Sequence, residues 1–344
     1  LKLNNYYVII NLVGSYFIIK KFKSYFKNIL VGNVMIEVKD LTKDYHIRKG
    51  LFKPFNIVNA VKGVSFSIKQ GEKIGLIGLN GAGKSTLMKM MSGVLKPTSG
   101  SVRVNGFVPY KRENSFLKSI GVVMGQKSIL LYDIPVKDSL KYYKEVYGID
   151  DKTFKERLSY YDEILNLKEL YETPVRKLSF GQRMRCELCA SLLHNPKVIF
   201  LDEPTIGLDI VVKNEILSFL DYLNKNSNTT ICLTTHNIDE IEKLCSRLII
   251  VDNGQIVFDG DKRLFNNVKS DKIIRFKNEN NISIDYLESI SKKVIYGDEI
   301  ELVVLADRVN EIVSFLVKNS VSDINISDES LEDLLIKFYG ENNR

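Results

Sequence analysis

The sequence predicts an α/β fold: a parallel sheet with helices on its faces, followed by a smaller second α/β unit. Three observations predict it. A Gly-rich loop joins the apolar stretch Ile74–Ile77 to a segment carrying Leu87, Met88 and Met91 at helical spacing, which is strand, loop, helix. A second apolar stretch, Val198–Leu201, ends in the adjacent acids Asp202 and Glu203. A third, within TTICLTTHNIDE, runs out at His236. Short apolar runs between helical segments are the pattern of strands buried on both faces.

Composition sets the outer limits. A chain of 344 residues, 44% of them hydrophobic, holds one large core and a smaller one. The formal net charge is +7, yet Lys2, Lys20, Lys21, Lys23 and Lys27 supply +5 of it within residues 1–34. The rest is close to neutral, which excludes a general nucleic-acid binder, and no nucleic-acid partner is expected. Cys186, Cys189, Cys232 and Cys245 make no disulfide framework in a chain of this size, so a reducing compartment is expected. Cys186 and Cys189 form a CxxC without a second pair, and read as small apolar residues on one helix face.

Taken in order, residues 1–34 come first. The run Tyr6–Ile19 is apolar but interrupted by Asn11, Gly14 and Ser15, and falls short of the ~20 residues that span a bilayer. Met35 opens a strand-like MIEV, so Met35 is the expected start, and 1–34 read as a doubtful leader that comes from an upstream or alternative start codon. Tyr45 follows, and HIRKGLFKPFNI reads as an insertion separating it from the strand GVSFSIK.

Next comes Gly78-Leu79-Asn80-Gly81-Ala82-Gly83-Lys84-Ser85-Thr86, which contains GxxxxGK[ST]. Glycines let backbone N–H groups approach phosphate oxygens without a Cβ in the way, and the following helix N-terminus favours an anion. Lys84 suits the β- and γ-phosphates of a nucleoside triphosphate, and Ser85 suits Mg²⁺. The two acids closing the second strand lie at the carboxyl edge where open α/β sheets bind ligands. Asp202 suits the Mg²⁺ shell, and Glu203 the general base that deprotonates the attacking water. His236, ending a strand expected to neighbour the second one, is placed to hold the γ-phosphate. His46 and His194 are read as ordinary packed or surface residues.

Between these motifs the sequence turns helical and Tyr-rich, with Tyr132, Tyr142, Tyr143 and Tyr147, in the manner of an interface groove. It leads into LSFGQ, whose Ser, Phe and Gly disfavour a helix interior. Past VDNGQIVFDG the nucleotide motifs cease. DKRLFNNVKSDK reads as a polar linker, and from 271 the strands KIIRF, KKVIYG and EIELVVL alternate with the helices ADRVNEIVSFLVKN and ESLEDLLIKFYG.

These residues carry a resemblance to the ATP-binding subunit of an ABC transporter. Gly78 to Ser85 resembles its Walker A motif and Gln126 in VVMGQ its Q-loop, while Leu178 to Gln182 resembles its signature. Val198 to Glu203 resembles Walker B, Gly207 to Asp209 the D-loop, and His236 the switch histidine. All occur in family order. The resemblance implies a P-loop NTPase of the ABC type: a nucleotide-binding domain over 35–262 with a helical subdomain at about 127–180, then a small C-terminal α/β accessory domain at 271–344. It implies ATP and Mg²⁺ as cofactors, with Gln126 sharing the metal and the catalytic site, and Tyr45 stacking on adenine.

It further implies that Ser179, Phe180, Gly181 and Gln182 reach the ATP held by another copy, which requires a homodimer or a heterodimer with a similar subunit. Ser179 would cap the signature helix and Gly181 permit close approach. Phe180 departs from the Gly commonest there; with Gly181 kept, the phosphate contact is expected to persist. Membrane-spanning permease subunits are the implied partners, export of the drug-resistance-like group the implied task. The subunit would sit in the cytoplasm, peripheral on the inner face of the cell membrane. A soluble ABC-type ATPase acting on ribosomes or DNA is the other reading. Such relatives carry two motif sets or long coiled coils, and neither is present.

Overall fold

The computed structural model describes residues 34–48, 55–125, 127–263, 271–277, 284–321 and 323–328. Residues 1–33, Gln126 and the ESLEDLLIKFYG segment lie outside the described residues.

The first two strands, β1 (Val34–Arg48) and β2 (Phe55–Lys69), form a long antiparallel pair, and β1 also pairs with β4 (Ser99–Val104). HIRKGLFKPFNI is no separate insertion at its ends: Tyr45 pairs with Val58 and Arg48 with Phe55, so both strands run on into it. Val38, Leu41, Val64, Phe66 and Ile68 supply the buried apolar side chains of this layer.

The main sheet has the order β5-β6-β7-β3-β8-β9. Its strands are β3 (Lys73–Ile77), β5 (Ile120–Met124), β6 (Val198–Asp202), β7 (Thr230–Thr234), β8 (Arg247–Asp252) and β9 (Gln255–Asp261). All pairings are parallel except that of β9 with β8. Both faces are buried, which explains the continuous apolar runs. Val198 and Phe200 of β6 enter the core shared with β1, β2 and β4, whereas Ile199 and Leu201 enter the core on the other face. In β7 Cys232 goes one way, Ile231 and Leu233 the other.

Helices cover that second face. The helix α1 (Lys84–Met91) lies on the first face, with Leu87, Met88, Met90 and Met91 in the core shared with β1, β2 and β4; on the second, α2 (Val136–Tyr147) and α3 (Asp151–Leu165) lead to α4 (Phe180–Leu192). Then come α5 (Ile210–Ser227) and α6 (Ile238–Leu244). Met184, Leu188 and Leu192 of α4 are buried as their spacing predicts, and so are Cys186 and Cys189. The four cysteines are free, and burial raises every thiol pKa, those of Cys186 and Cys245 to about 12.

From 271 onward a second sheet forms, β11-β12-β10-β13, wholly antiparallel. It comprises β10 (Asp271–Phe276), β11 (Lys293–Ile295), β12 (Ile300–Leu305) and β13 (Ile324–Asp328). Helices α7 (Asp285–Ile290) and α8 (Val309–Lys318) close a core of Ile274, Phe276, Leu287, Leu302, Ile312 and Leu316. The sequence reading misses α7 and β13. Among the described residues no helix is long and apolar enough to cross a membrane.

Candidate functional site

The loop after β3 is shaped by what a side chain would strike. A Cβ on Gly78 would lie 2.1 Å from the Val251 carbonyl oxygen, and Gly83, at φ 109°, would place one 2.6 Å from the Ala60 carbonyl oxygen. The loop therefore lies against β8 and β2 at distances only glycine allows. Leu79, Asn80 and Gly81 are exposed at its tip, Ala82 and Gly83 are buried, and Ser85 and Thr86 are half-buried at the start of α1. Lys84 folds back under the loop, its Nζ donating to the carbonyls of Gly78 at 2.7 Å and Leu79 at 3.1 Å. Burial lowers the Lys84 pKa, while the nearby charges of Glu203 and Asp202 pull it the other way.

The acids arrive from β6, and β7 stands between β6 and β3. They reach the loop nonetheless, because Ser85 on α1 donates its hydroxyl to Asp202 Oδ1 at 3.0 Å. Thr234, the last residue of β7, donates to the same oxygen at 2.6 Å and accepts the Glu203 backbone N–H at 3.0 Å. Glu203 has a left-handed backbone, φ 52°, a conformation costly for a non-glycine residue and held here by its surroundings. His236 is exposed, with Nδ1 3.7 Å from Glu203 Oε1. Lys84, Ser85, Asp202, Glu203 and His236 thus converge at the carboxyl edge of β3, β6 and β7. Thr234 was missed at the sequence level. Its signal is a hydroxyl closing an apolar strand, one residue short of His236's neighbour Thr235.

Ser179 to Gln182 and Asp209 form a second group. Ser179 caps α4 with a reciprocal pair of bonds: its hydroxyl accepts the Gln182 N–H at 3.2 Å, and Gln182 Oε1 accepts the Ser179 N–H at 2.9 Å. This capping box explains why Ser, Phe and Gly open a helix. Phe180 packs on the helical core, and the Arg183 guanidinium lies 5.0 Å from its ring centre. A Cβ on Gly181 would meet Val212 at 3.2 Å, which sets α4 tightly on α5. Asp209 caps α5, its Oδ1 accepting from Val211 and Val212 N–H, each at 3.0 Å. Tyr45 is half-buried on β1, with Lys43 Nζ 5.5 Å above its ring.

The family model described as ABC transporter matches residues 61–206. The chain is 30% identical over 226 residues to the ABC transporter ATP-binding protein NatA of Bacillus subtilis, covering 66% of this chain and 89% of that protein. It is 30% identical over 301 residues to the linearmycin resistance ATP-binding protein LnrL of the same organism, covering 84% of this chain and 96% of that one. Among solved structures, cbiO1 of Clostridium perfringens, part of the cbiONQ ABC transporter complex, superposes with a TM-score of 0.58 at 29% identity. The match covers 68% of this chain and 91% of that one. A dimeric bacterial ABC transporter cassette superposes with a TM-score of 0.59 at 25% identity, covering 66% and 98%. The chain belongs to the ATP-binding proteins of ABC transporters.

Proposed function

We propose that this chain hydrolyses ATP to drive a separate membrane permease, in an export system of the drug-resistance-like group. The observation that carries it is the convergence of Lys84, Ser85, Asp202, Glu203 and His236 at one sheet edge. The backbone N–H groups from Leu79 to Thr86 cradle the phosphates, and Lys84 turns from the loop carbonyls to the β- and γ-phosphates. Tyr45 stacks on adenine. The hydroxyl of Ser85 and the carboxylate of Asp202, 3.0 Å apart, are hard oxygen donors that fit Mg²⁺, with Gln126 as a further ligand. The cation, when bound, neutralises charge on the phosphate oxygens. Glu203 takes the proton of the attacking water, and His236 beside it holds the γ-phosphate.

Ser179, Phe180, Gly181 and Gln182 complete the site of a second copy, across a seam that Asp209 also lines. The dimeric cassette among the structural neighbours supports this reading, and the resistance role in the name of LnrL supports export. The subunit then lies at the inner face of the membrane through its permease, which docks near the exposed Tyr132 and Tyr142. The test has two arms. The purified chain should hydrolyse ATP only with Mg²⁺, and Lys84→Ala should abolish this. A multi-spanning membrane protein should copurify with the chain from native membranes; copurification with ribosomes instead would favour the soluble ATPase.

A further inference from the structure

Next to the converged groups lies a small cavity of about 80 Å³, lined by Glu203, Thr205, Leu208, Lys213, His236 and Glu240. Lys213 and Glu240 have no place in the reaction described above, yet both are largely buried. The Glu240 side chain is 3% exposed and that of Lys213 19%, and Lys213 Nζ lies 3.1 Å from Glu240 Oε1. The other carboxylate oxygen, Oε2, accepts the Thr235 hydroxyl at 2.7 Å. Thr235 Oγ1 in turn accepts the Asn237 backbone N–H at 3.0 Å. The carboxylate therefore holds Thr235 before His236 and, through the Thr235 hydroxyl, the Asn237 backbone after it, and one lysine holds the carboxylate.

The lysine belongs to the other motif. Lys213 stands one turn after Asp209 on α5, and its N–H donates to the Asp209 carbonyl at 3.0 Å. A continuous path of contacts then runs from the cap of α5 through Lys213, Glu240 and Thr235 to the backbone of His236. Burying both charges is costly unless each satisfies the other, so the pair holds one geometry tightly. Surface packing of two helices does not require it: Lys243 Nζ already joins α6 to Asn214 of α5 at 2.8 Å.

We infer that Lys213 and Glu240 are positioning residues for hydrolysis, fixing the His236 backbone relative to the Asp209 turn. This inference rests on the ATPase reading. A shift of the Asp209 turn, at the seam with a second copy, is passed to His236 through a rigid ion pair instead of being absorbed by a loop.

The test uses the full chain and steady-state ATP hydrolysis with Mg²⁺, with melting temperature measured in parallel. Lys213→Met should lower kcat roughly tenfold or more while KM for ATP stays within about twofold, as for misplaced chemistry and not lost binding. Lys213→Arg should restore most of kcat. The neutral double variant Lys213→Met/Glu240→Gln should recover melting temperature relative to Lys213→Met but leave kcat low. A Lys213→Met enzyme with wild-type kcat would overturn the inference alone, as would recovery of kcat in step with melting temperature in the double variant. A wild-type chain that fails to hydrolyse ATP would overturn the underlying reading, and this inference with it.

Discussion

Thr234 Oγ1 donates to Asp202 Oδ1 at 2.6 Å while it accepts the Glu203 N–H at 3.0 Å, so a single hydroxyl on β7 orients both acids of β6. Thr234→Val keeps the shape and removes the hydroxyl. Asp202 then loses a donor in a half-buried setting, and stability is expected to fall by about 1–2 kcal/mol. Hydrolysis should fall by about tenfold or more through misplacement of Glu203. Thermal denaturation and steady-state kinetics on the same preparation check both.

Glu203→Gln preserves the shape of the side chain and removes the base. With Mg²⁺ and ATP the variant should accumulate as a dimer that retains two nucleotides. Gel filtration with nucleotide quantification reads this directly, and a purely monomeric profile would count against the shared site.

Glu187 of α4 is buried, with Arg183 Nε 3.5 Å from its Oε1, and desolvation raises its pKa from 4.5 to about 7 against the opposing influences of Ser128 and Arg183. The folded chain therefore holds this proton more tightly than the unfolded chain. Its contribution to stability is greatest below the unfolded value, declines as pH rises from 4.5 to about 7, and is fully lost above that. The shift corresponds to about 3 kcal/mol. Urea denaturation across this window should show the decline, and Glu187→Gln should flatten it.

Gly78→Ala sets a methyl group 2.1 Å from the Val251 carbonyl oxygen. Backbone must move to admit it, so the variant is expected to lose about 2 kcal/mol or more of stability together with nucleotide binding. Isothermal titration with ATP and a melting curve separate the two losses.

Much of the main sheet could be read from residues alone, because β3, β6 and β7 are buried on both faces and announce themselves as unbroken apolar runs. The Gly-rich loop was equally plain, since its chemistry demands glycine where the backbone of β8 and β2 comes close. What stayed hidden depends on neighbours distant in sequence. The pairing of β7 with β6 follows the expectation, but nothing in TTICLTTH gives the register, Asp202 opposite Thr234, that lets the Thr234 hydroxyl reach Asp202. Lys213 and Glu240 look like ordinary helix-surface charges until α5 and α6 pack face to face. β13 and α7 are short, and their stability comes from the antiparallel sheet around them, not from local pattern. The ends of β1 and β2 read as an insertion because HIRKGLFKPFNI is basic and aromatic without clean alternation; the pairing of Arg48 with Phe55 overrides that.

The buried, protonated state of all four cysteines has a practical consequence. Maleimide attacks the thiolate at an accessible sulfur, and the native chain presents none. A cysteine introduced at Val146, which is exposed on α2, would be the single labelling position in an otherwise unaltered background. A fluorophore there could report on each catalytic cycle without the usual step of first stripping out the natural thiols.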